Sequence, residues 1–258
     1  MVTILFHSTI FGPIHSRRLG TSLGVNLSPI DGKVCSFDCI YCEAGYNSQG
    51  PGKAGLPTRE NVAQELEEKL RAMAVAGETL DVITFSGNGE PTIHPQFADI
   101  IDDTIALRNR YFPAVKISVL SNSTRLGDER VVEALKKVDN NILKLDSAIT
   151  TTMRLIDQPN VPSFTSEGVI EQIAQFGNQC IVQTMMLRGW HNDKRIDNTT
   201  DAEVEALLHA YKLINPREVM LYSIDRATPE ERLEKVSKEE LETIANRFRE
   251  NGIIVKVN

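Results

Sequence analysis

Three of the chain's four cysteines, Cys35, Cys39 and Cys42, stand in one short stretch. A loop of this length can turn three thiolates towards one point, and no fourth cysteine or histidine stands close by in the sequence. Soft thiolates select zinc or iron–sulfur clusters, and structural zinc normally takes four protein ligands. The Cys-x3-Cys-x2-Cys spacing fits neither a zinc ribbon nor a ferredoxin run. It predicts a metal centre with three protein ligands and a fourth position left open. The alternatives are a zinc site or three unrelated core cysteines.

A second motif follows the next apolar segment of the chain. The predicted strand Val82–Phe85 runs directly into the glycine turn Ser86–Pro91. Glycines let a backbone approach a ligand closely, and Glu90 places a carboxylate at the end of the strand. We therefore predict a second binding element here.

The elements that must position these motifs alternate along the whole sequence. A first strand near 22–27 precedes the cysteines, and a helix capped by Thr58 and stopped at Gly77 follows them. Further strands are predicted at 82–85, 116–120, 142–145, 180–187, 218–222 and 253–257, with helices at 97–108, from 128, at 166–176, and after the capping boxes at Thr200 and Ser237. This alternation predicts an α/β fold, an open partial (β/α)6 barrel, whose catalytic loops gather at the carboxyl ends of the strands. We expect a single domain over 1–258, with a lead-in segment over about 1–21.

Composition narrows the class of protein. The 258 residues carry a net charge of −7, and 41% of them are hydrophobic. No apolar run approaches the ~20 residues that cross a bilayer, so no membrane partner is expected. The amino terminus does not read as a signal peptide, and clustered cysteines favour a reducing compartment, so we expect a cytoplasmic protein. The acidic charge does not favour a nucleic-acid partner.

The cysteine spacing, with Tyr41 before the third cysteine, resembles the cluster loop of the radical S-adenosylmethionine (radical SAM) enzymes. In that family three cysteines hold a 4Fe-4S cluster whose fourth iron is left open for S-adenosylmethionine. Tyr41 matches the aromatic position beside the adenine ring. The glycine turn resembles the family's Gly-Gly-Glu-Pro motif, which grips the amino group of the methionine moiety, and here it reads Gly87, Asn88, Gly89, Glu90 and Pro91.

The resemblance also implies cofactor contacts at other strand ends. Ser121, Asn122, Asp146 and Gln183 stand where the family places groups that contact the carboxylate, ribose and adenine of the cofactor. Ordinary strand-to-helix turns are the alternative, because such turns favour Ser, Asn and Asp. Cys180 lies in an apolar strand and is most simply a small buried residue.

The chemistry implied is reductive cleavage of S-adenosylmethionine to a 5′-deoxyadenosyl radical that abstracts hydrogen from an unidentified substrate. It requires a reductant such as flavodoxin or ferredoxin. Within the superfamily, segments 11–20 and 222–226 resemble the wyosine-synthetase-related group, but only Cys180 remains for that group's second cluster. The alternatives are a tRNA base-modifying enzyme, a glycyl-radical activating enzyme and a non-catalytic iron–sulfur or electron-transfer module. Glu90 argues against the last, since a cluster carrier needs no amino-acid-binding turn.

Two polar segments are predicted to hold the substrate. Arg17 and Arg18 precede the first strand, and Tyr222, Asp225 and Arg226 follow the sixth. We expect these segments to meet at the mouth of the barrel, where arginine forks would bind an anionic group. The alternative is a salt bridge from Arg18 or Arg226 to Asp225 that ties the ends of the sheet together.

Overall fold

The structure is a computed structural model that describes residues 4–16 and 19–258. The strands of the described chain are β1 (Ile10–Ser16), β2 (Gly20–Val25), β3 (Val82–Phe85), β4 (Lys116–Ser121), β5 (Asn140–Lys144), β6 (Cys180–His191), β7 (Lys194–Asp197), β8 (Glu218–Ser223), β9 (Leu233–Lys235) and β10 (Val255–Val257). The α-helices are α1 (Arg59–Ala76), α2 (Phe97–Tyr111), α3 (Glu129–Lys137), α4 (Thr150–Asp157), α5 (Ser166–Ala174), α6 (Asp201–Ile214) and α7 (Lys238–Arg249).

The sheet has the architecture that the sequence predicts. Strands β2, β3, β4, β5, β6 and β8 are parallel neighbours in that order. β10 extends the sheet as a parallel neighbour of β8, and β1 pairs antiparallel with β2 at the other edge. Among the described residues the two edge strands do not pair with each other, so the sheet is an open partial barrel.

Local capping explains where the helices begin and end. The hydroxyls of Thr58, Thr200 and Ser237 each accept a hydrogen bond from a backbone N–H in the first turn of α1, α6 and α7. α1 ends at Gly77, whose φ of 69° lies in the left-handed region that glycine adopts without strain. The predicted N-caps at Thr58, Thr200 and Ser237 and the glycine stop are confirmed.

Alternate residues of each strand face different layers. One face of the sheet packs against the helices, as with Leu23, Ile83 and Leu66, which are fully buried. Burying such a side chain contributes about 1.5–3 kcal/mol. The opposite face forms a smaller cluster inside the barrel, with Ile142, Ile181 and Met220. Every second residue of a strand, in step with Ile142, Ile181 and Met220, therefore points into the barrel. Several polar groups of the site lie at such positions.

The structure adds elements that the strand pattern did not predict, among them α4 and the hairpin annex. We use that name for β7, β9 and the outer part of β6, residues 187–191. β6 and β7 join through Asn192 and Asp193, whose φ values of 47° and 58° match a two-residue hairpin turn. The annex packs Leu187 and Ile196 against Ile40 of the cysteine loop. None of the described helices is long and apolar enough to span a membrane.

Candidate active site at the carboxyl ends of the strands

The cysteine loop, residues 33–47, follows β2 and is fastened to the glycine turn. Val34 and Gly89 form a parallel β-bridge. The N–H of Glu90 donates to Val34 O at 3.0 Å, and the N–H of Val34 donates to Asn88 O at 3.3 Å. A Cβ on Gly89 would overlap the carbonyl oxygen of Val34, so this close approach requires glycine. The two sequence motifs are one structural unit.

The other side of the cysteine loop is fastened to the end of α4. The N–H of Ile40 donates to Ile156 O at 3.0 Å, and the N–H of Asp38 donates to Asp157 O at 3.0 Å. Further on, the N–H of Asn160 donates to Ser36 O at 2.9 Å. The loop is therefore held by backbone hydrogen bonds along both flanks.

Three side chains brace the inside of this loop. Asp38 accepts hydrogen bonds from the N–H of Asn47 at 2.7 Å and from Lys33 Nζ at 3.4 Å. Lys33 Nζ also donates to Gly45 O at 2.7 Å, and its side chain is buried. The amide of Asn47 donates to the carbonyls of Cys35 and Phe37. These contacts fix the curvature of the backbone that presents the thiols.

The three thiols are unpaired by disulfides; Cys39 is buried, while Cys35 and Cys42 are half-buried. Burial raises the pKa of Cys35 to about 11 and also raises the pKa of Cys39, which the Lys144 ammonium opposes. Metal binding needs thiolates, so a nearby cation favours it. Phe37 N–H lies 3.4 Å from Cys35 Sγ, and Lys144 Nζ lies 3.0 Å from Cys39 Sγ.

No three ligating side chains among the described residues surround a single metal ion. In an iron–sulfur cluster each cysteine binds its own iron atom, so the thiols stand farther apart than the ligands of one ion. Three free thiols on a braced loop, with N–H donors and a cation beside two sulfurs, fit the ligand set of an iron–sulfur cluster.

Glu90 is buried and points inward rather than into an open space. One carboxylate oxygen accepts from the N–H and hydroxyl of Thr92, at 3.0 and 2.5 Å, and the other from the N–H of Asn122 at 2.6 Å. Burial raises the pKa of Glu90, and the hydrogen bonds from Asn122 and Thr92 only partly oppose it. Glu90 thus ties the end of β3 to the end of β4, and Pro91 opens a short 3-10 turn behind it.

The side chain of Asn88 also forms hydrogen bonds with the protein backbone. It exchanges hydrogen bonds with the backbone of Phe6, at 2.8 and 2.9 Å, and donates to Pro29 O at 2.9 Å. Gly87, with φ 137°, packs so closely on Asn26 that a side chain would collide with it. Asn88 therefore holds the segment before β1 against the glycine turn.

The polar residues after β4 reach the cysteine loop. The amide of Asn122 donates to Ser36 Oγ at 2.9 Å and lies 3.6 Å from Cys35 Sγ. Ser121 Oγ accepts from the N–H of Ser123 at 3.1 Å and also bonds Glu90. Both predicted residues lie beside the site, where they support the loop.

Four groups meet where β5 ends beneath the cysteine loop. Asp146 is fully buried, accepts from the hydroxyl of Tyr41 and accepts from the N–H of Met185 at 2.9 Å. Lys144 Nζ lies 3.1 Å from Asp146 Oδ2 and 3.0 Å from Asp157 Oδ1. Burial raises the pKa of Tyr41, and the Asp146 carboxylate adds to that effect. Gln183, opposite Lys144 in the register of β5 and β6, is buried at the same level.

A cavity of about 260 Å³ opens beside this network. Its aromatic and apolar lining includes Tyr41, Met185 and Tyr222, and its charged lining comprises Glu43, Asp225, Arg226, Lys235 and Lys238. Arg226 pairs with Glu43 at 2.6 Å, and Lys235 pairs with Asp225 at 3.0 Å. Arg226 and Asp225 thus have Glu43 and Lys235 as partners among the described residues, and the alternative of an Arg18–Asp225 salt bridge lies outside those residues. The Arg226–Glu43 pair joins the segment after β8 to the cysteine loop.

Arg17 and Arg18 lie outside the described residues. The flanking Leu19 borders a second cavity with Asp81, Lys116 and Glu218, which stand where the parallel strands begin. That is the end of the barrel opposite Arg226. The expectation that the two segments meet at the mouth stays a prediction, because it depends on Arg17 and Arg18.

Sequence reasoning missed several residues of the site, notably Lys33, Asn47, Lys144 and Asp157. Lys144 carried a signal, because strand parity places it on the same face as Asp146 and Ile142. Asp157 carried none, since α4 was not predicted. Cys180 is buried and donates its thiol to Gly177 O at 3.2 Å where β6 begins, far from the loop, as expected of a packing residue.

Comparisons with known proteins agree with this architecture. A family model described as the Radical SAM superfamily matches residues 30–202. The UPF0026 protein of Synechocystis sp. is 32% identical over 230 residues, which are 86% of this chain and 78% of that protein. The GTPase Obg of Brachyspira hyodysenteriae is 28% identical over 94% of this chain. The chain spans only 34% of that relative's length.

Two solved structures share the fold. A radical SAM methyltransferase from Sphaerobacter thermophilus superposes with a TM-score of 0.68 at 16% identity, over 92% of this chain and 65% of that one. Streptococcus suis SuiB bound to S-adenosylmethionine gives 0.64 at 13% identity, over 91% of this chain and 50% of that one. The chain belongs to the radical SAM superfamily and, on the Synechocystis comparison, to its UPF0026 group. Enzymes of this superfamily use a 4Fe-4S cluster and S-adenosylmethionine, and these are the cofactors of this chain.

Proposed function

We propose that Cys35, Cys39 and Cys42 hold the 4Fe-4S cluster and that the chain cleaves S-adenosylmethionine reductively, for hydrogen abstraction from a substrate. The observation that carries this proposal is the three-thiol loop clamped at the carboxyl ends of the parallel strands. Bound there, the cluster would supply the one electron for cleavage of S-adenosylmethionine to methionine and a deoxyadenosyl radical able to take a hydrogen atom.

The chain's own residues position the cofactors. The bracing contacts of Lys33, Asp38 and Asn47 preset the curvature of the loop, so little ordering is needed when metal binds. Asn122 and Lys144 offer N–H donors to Cys35 and Cys39. Because the glycine turn is bonded to the same loop, a cofactor held by that turn would lie next to the cluster.

The cavity beside Tyr41 is our candidate for the substrate side of the site. Three cationic side chains line it, Arg226, Lys235 and Lys238, and arginine binds carboxylate or phosphate in a bidentate manner. We propose that it accepts a small substrate with an anionic group, for which the Arg226–Glu43 pair would open. The cavity volume of about 260 Å³ and the net charge of −7 favour a small molecule or side chain over a nucleic-acid track.

The reaction needs an electron donor outside the chain, and we propose a one-electron carrier such as flavodoxin or ferredoxin. A non-catalytic electron carrier is the competing function. The glycine turn, built into the same unit as the cysteine loop, favours the enzyme.

Anaerobic reconstitution with iron and sulfide tests the proposal. The loaded protein, reduced with dithionite and given S-adenosylmethionine, should release methionine and 5′-deoxyadenosine, detected by mass spectrometry. The Cys39→Ala protein taken through the same steps is the control and should release neither. A protein that loads a full cluster but never consumes S-adenosylmethionine would be an electron carrier.

A further inference from the structure

Lys144 is a buried cation inserted into the cysteine loop. Its side chain is 14% exposed, and its ammonium lies 3.0 Å from Cys39 Sγ. The same ammonium lies over the rings of Tyr41 at 4.4 Å and Phe37 at 5.6 Å. These two aromatic residues flank Cys39 in the sequence, so the cation sits against the middle of the three-cysteine motif.

Carboxylates hold this ammonium in place. Asp146 and Asp157 lie 3.1 and 3.0 Å from Nζ, and both are buried. Desolvating a lysine is costly, and such pairs offset that cost only with close geometry. The segment just after β5 supplies Asp146 and the end of α4 supplies Asp157, so the position of Nζ is fixed from two parts of the fold.

Lys33, a second buried lysine near the three thiols, has different contacts from Lys144. Its Nζ donates to Gly45 O and Asp38, and no hydrogen bond from it to a sulfur is found among the described residues. Lys33 therefore braces the backbone, whereas Lys144 contacts a thiol directly. The charge of Lys33 also interacts with the three thiols, but Lys144 adds a direct N–H···S contact with Cys39.

We propose that Lys144 is a positioning residue that sets the reduction potential of the cluster through its charge and its N–H···S contact with Cys39. The inference rests on the proposed function, in which Cys39 is a cluster ligand. Hydrogen bonds to the sulfurs and the net charge around a cluster set its potential. A fixed cation stabilises the reduced cluster, which carries one more negative charge, and so raises the potential. Asp157, whose Oδ1 lies 3.7 Å from Cys39 Sγ, does not act in the same direction.

The test is a redox titration, followed by electron paramagnetic resonance, of the cluster-loaded full chain without S-adenosylmethionine. Lys144→Met should lower the equilibrium constant for one-electron reduction at least tenfold, which corresponds to 59 mV for a one-electron couple. In Lys144→Arg this equilibrium constant should stay within a few-fold of that of the parent. Asp157→Asn should not lower the potential, and Lys136→Met, on the exposed face of α3, should leave it unchanged.

Lys144→Gln, which keeps an N–H donor without the charge, guards against a folding failure. The reduction potential of its cluster should lie between that of the parent and that of Lys144→Met. An unchanged potential in Lys144→Met with a full cluster overturns the inference, and so does an equal drop in Asp157→Asn. If neither uncharged variant loads a cluster while Lys144→Arg does, the lysine serves assembly and the inference fails. If the parent itself loads no cluster, the proposed function fails instead, which iron and sulfide analysis would show first.

Discussion

Val34 and Gly89 are paired as neighbours in a parallel β-bridge, one residue before the first cysteine and one residue before Glu90. Val34 and Gly89 are 55 residues apart in the chain, yet the cysteine loop and the glycine turn share two backbone hydrogen bonds. A distortion of one motif is therefore transmitted to the other.

We expect Gly89→Ala to destabilise the cysteine loop, because the new methyl group would overlap Val34 O. Overpacking of this kind costs about 1–3 kcal/mol in the free energy of unfolding. Urea denaturation and iron content after reconstitution measure both effects. Gly127→Ala is the matched control, since the nearest atom to its Cβ would be Gln172 Nε2 at 3.6 Å. Equal behaviour of the two variants would contradict the coupling.

Cys35→Ala, Cys39→Ala and Cys42→Ala should each abolish assembly of a full 4Fe-4S cluster, since each removes one iron ligand. Cys180→Ala should retain it, because its thiol lies at the start of β6 and bonds a carbonyl. Iron and sulfide analysis with the visible absorption spectrum checks this. A full cluster in the Cys39 variant, or none in the Cys180 variant, would show the assignment to be wrong.

Glu90→Gln should lower stability, because an amide cannot accept all the hydrogen bonds that Thr92 and Asn122 donate to the carboxylate. An unsatisfied buried group costs about 1–3 kcal/mol. Glu90→Ala leaves the same donors unpaired, so weaker S-adenosylmethionine binding in that variant has to be judged against its stability. Glu68→Gln, on the exposed face of α1, is the control.

The same substitution predicts a pH dependence. Burial raises the pKa of Glu90 above 4.5, so above that pH the folded state binds this proton more tightly than the unfolded state. The stability from this proton is present at low pH and lost as pH rises through the folded pKa. The difference in free energy of unfolding between the parent and Glu90→Gln, measured by urea denaturation, should therefore shrink as pH rises above 4.5. An advantage that grows with pH would contradict the shift.

Arg226→Ala should leave folding, cluster content and uncoupled cleavage of S-adenosylmethionine intact while the substrate-dependent reaction is lost. Its pair with Glu43 is largely exposed, so it contributes only about 0–1 kcal/mol to stability. Losing a charge-assisted hydrogen bond to substrate costs about 1.5–3 kcal/mol, or roughly tenfold or more in affinity. Arg247→Ala, an exposed paired arginine of α7, is the control. A variant that melts well below the parent but keeps full activity would make Arg226 structural.

The sequence predicted the sheet well because its signals are local. Hydrophobic runs, the caps at Thr58, Thr200 and Ser237, and the stop at Gly77 each act within one turn of helix or one strand. The hairpin annex was not predicted from the sequence, because β7 and β9 are short and polar and depend on pairing with β6. Its Asn192-Asp193 turn was a local signal that went unused.

By itself, the sequence determined the family, the order of parallel strands and the motifs that bring cysteines and glycines to their carboxyl ends, because spacing and periodicity are properties of the chain alone. Only the tertiary structure decided which groups those motifs contact. Asn88 and Glu90 turned out to hold the scaffold, and Lys144 met Cys39 across 105 residues. Such contacts depend on how β5, α4 and the cysteine loop pack together, and burial then fixes the partners, since a desolvated charge must lie beside an opposite one.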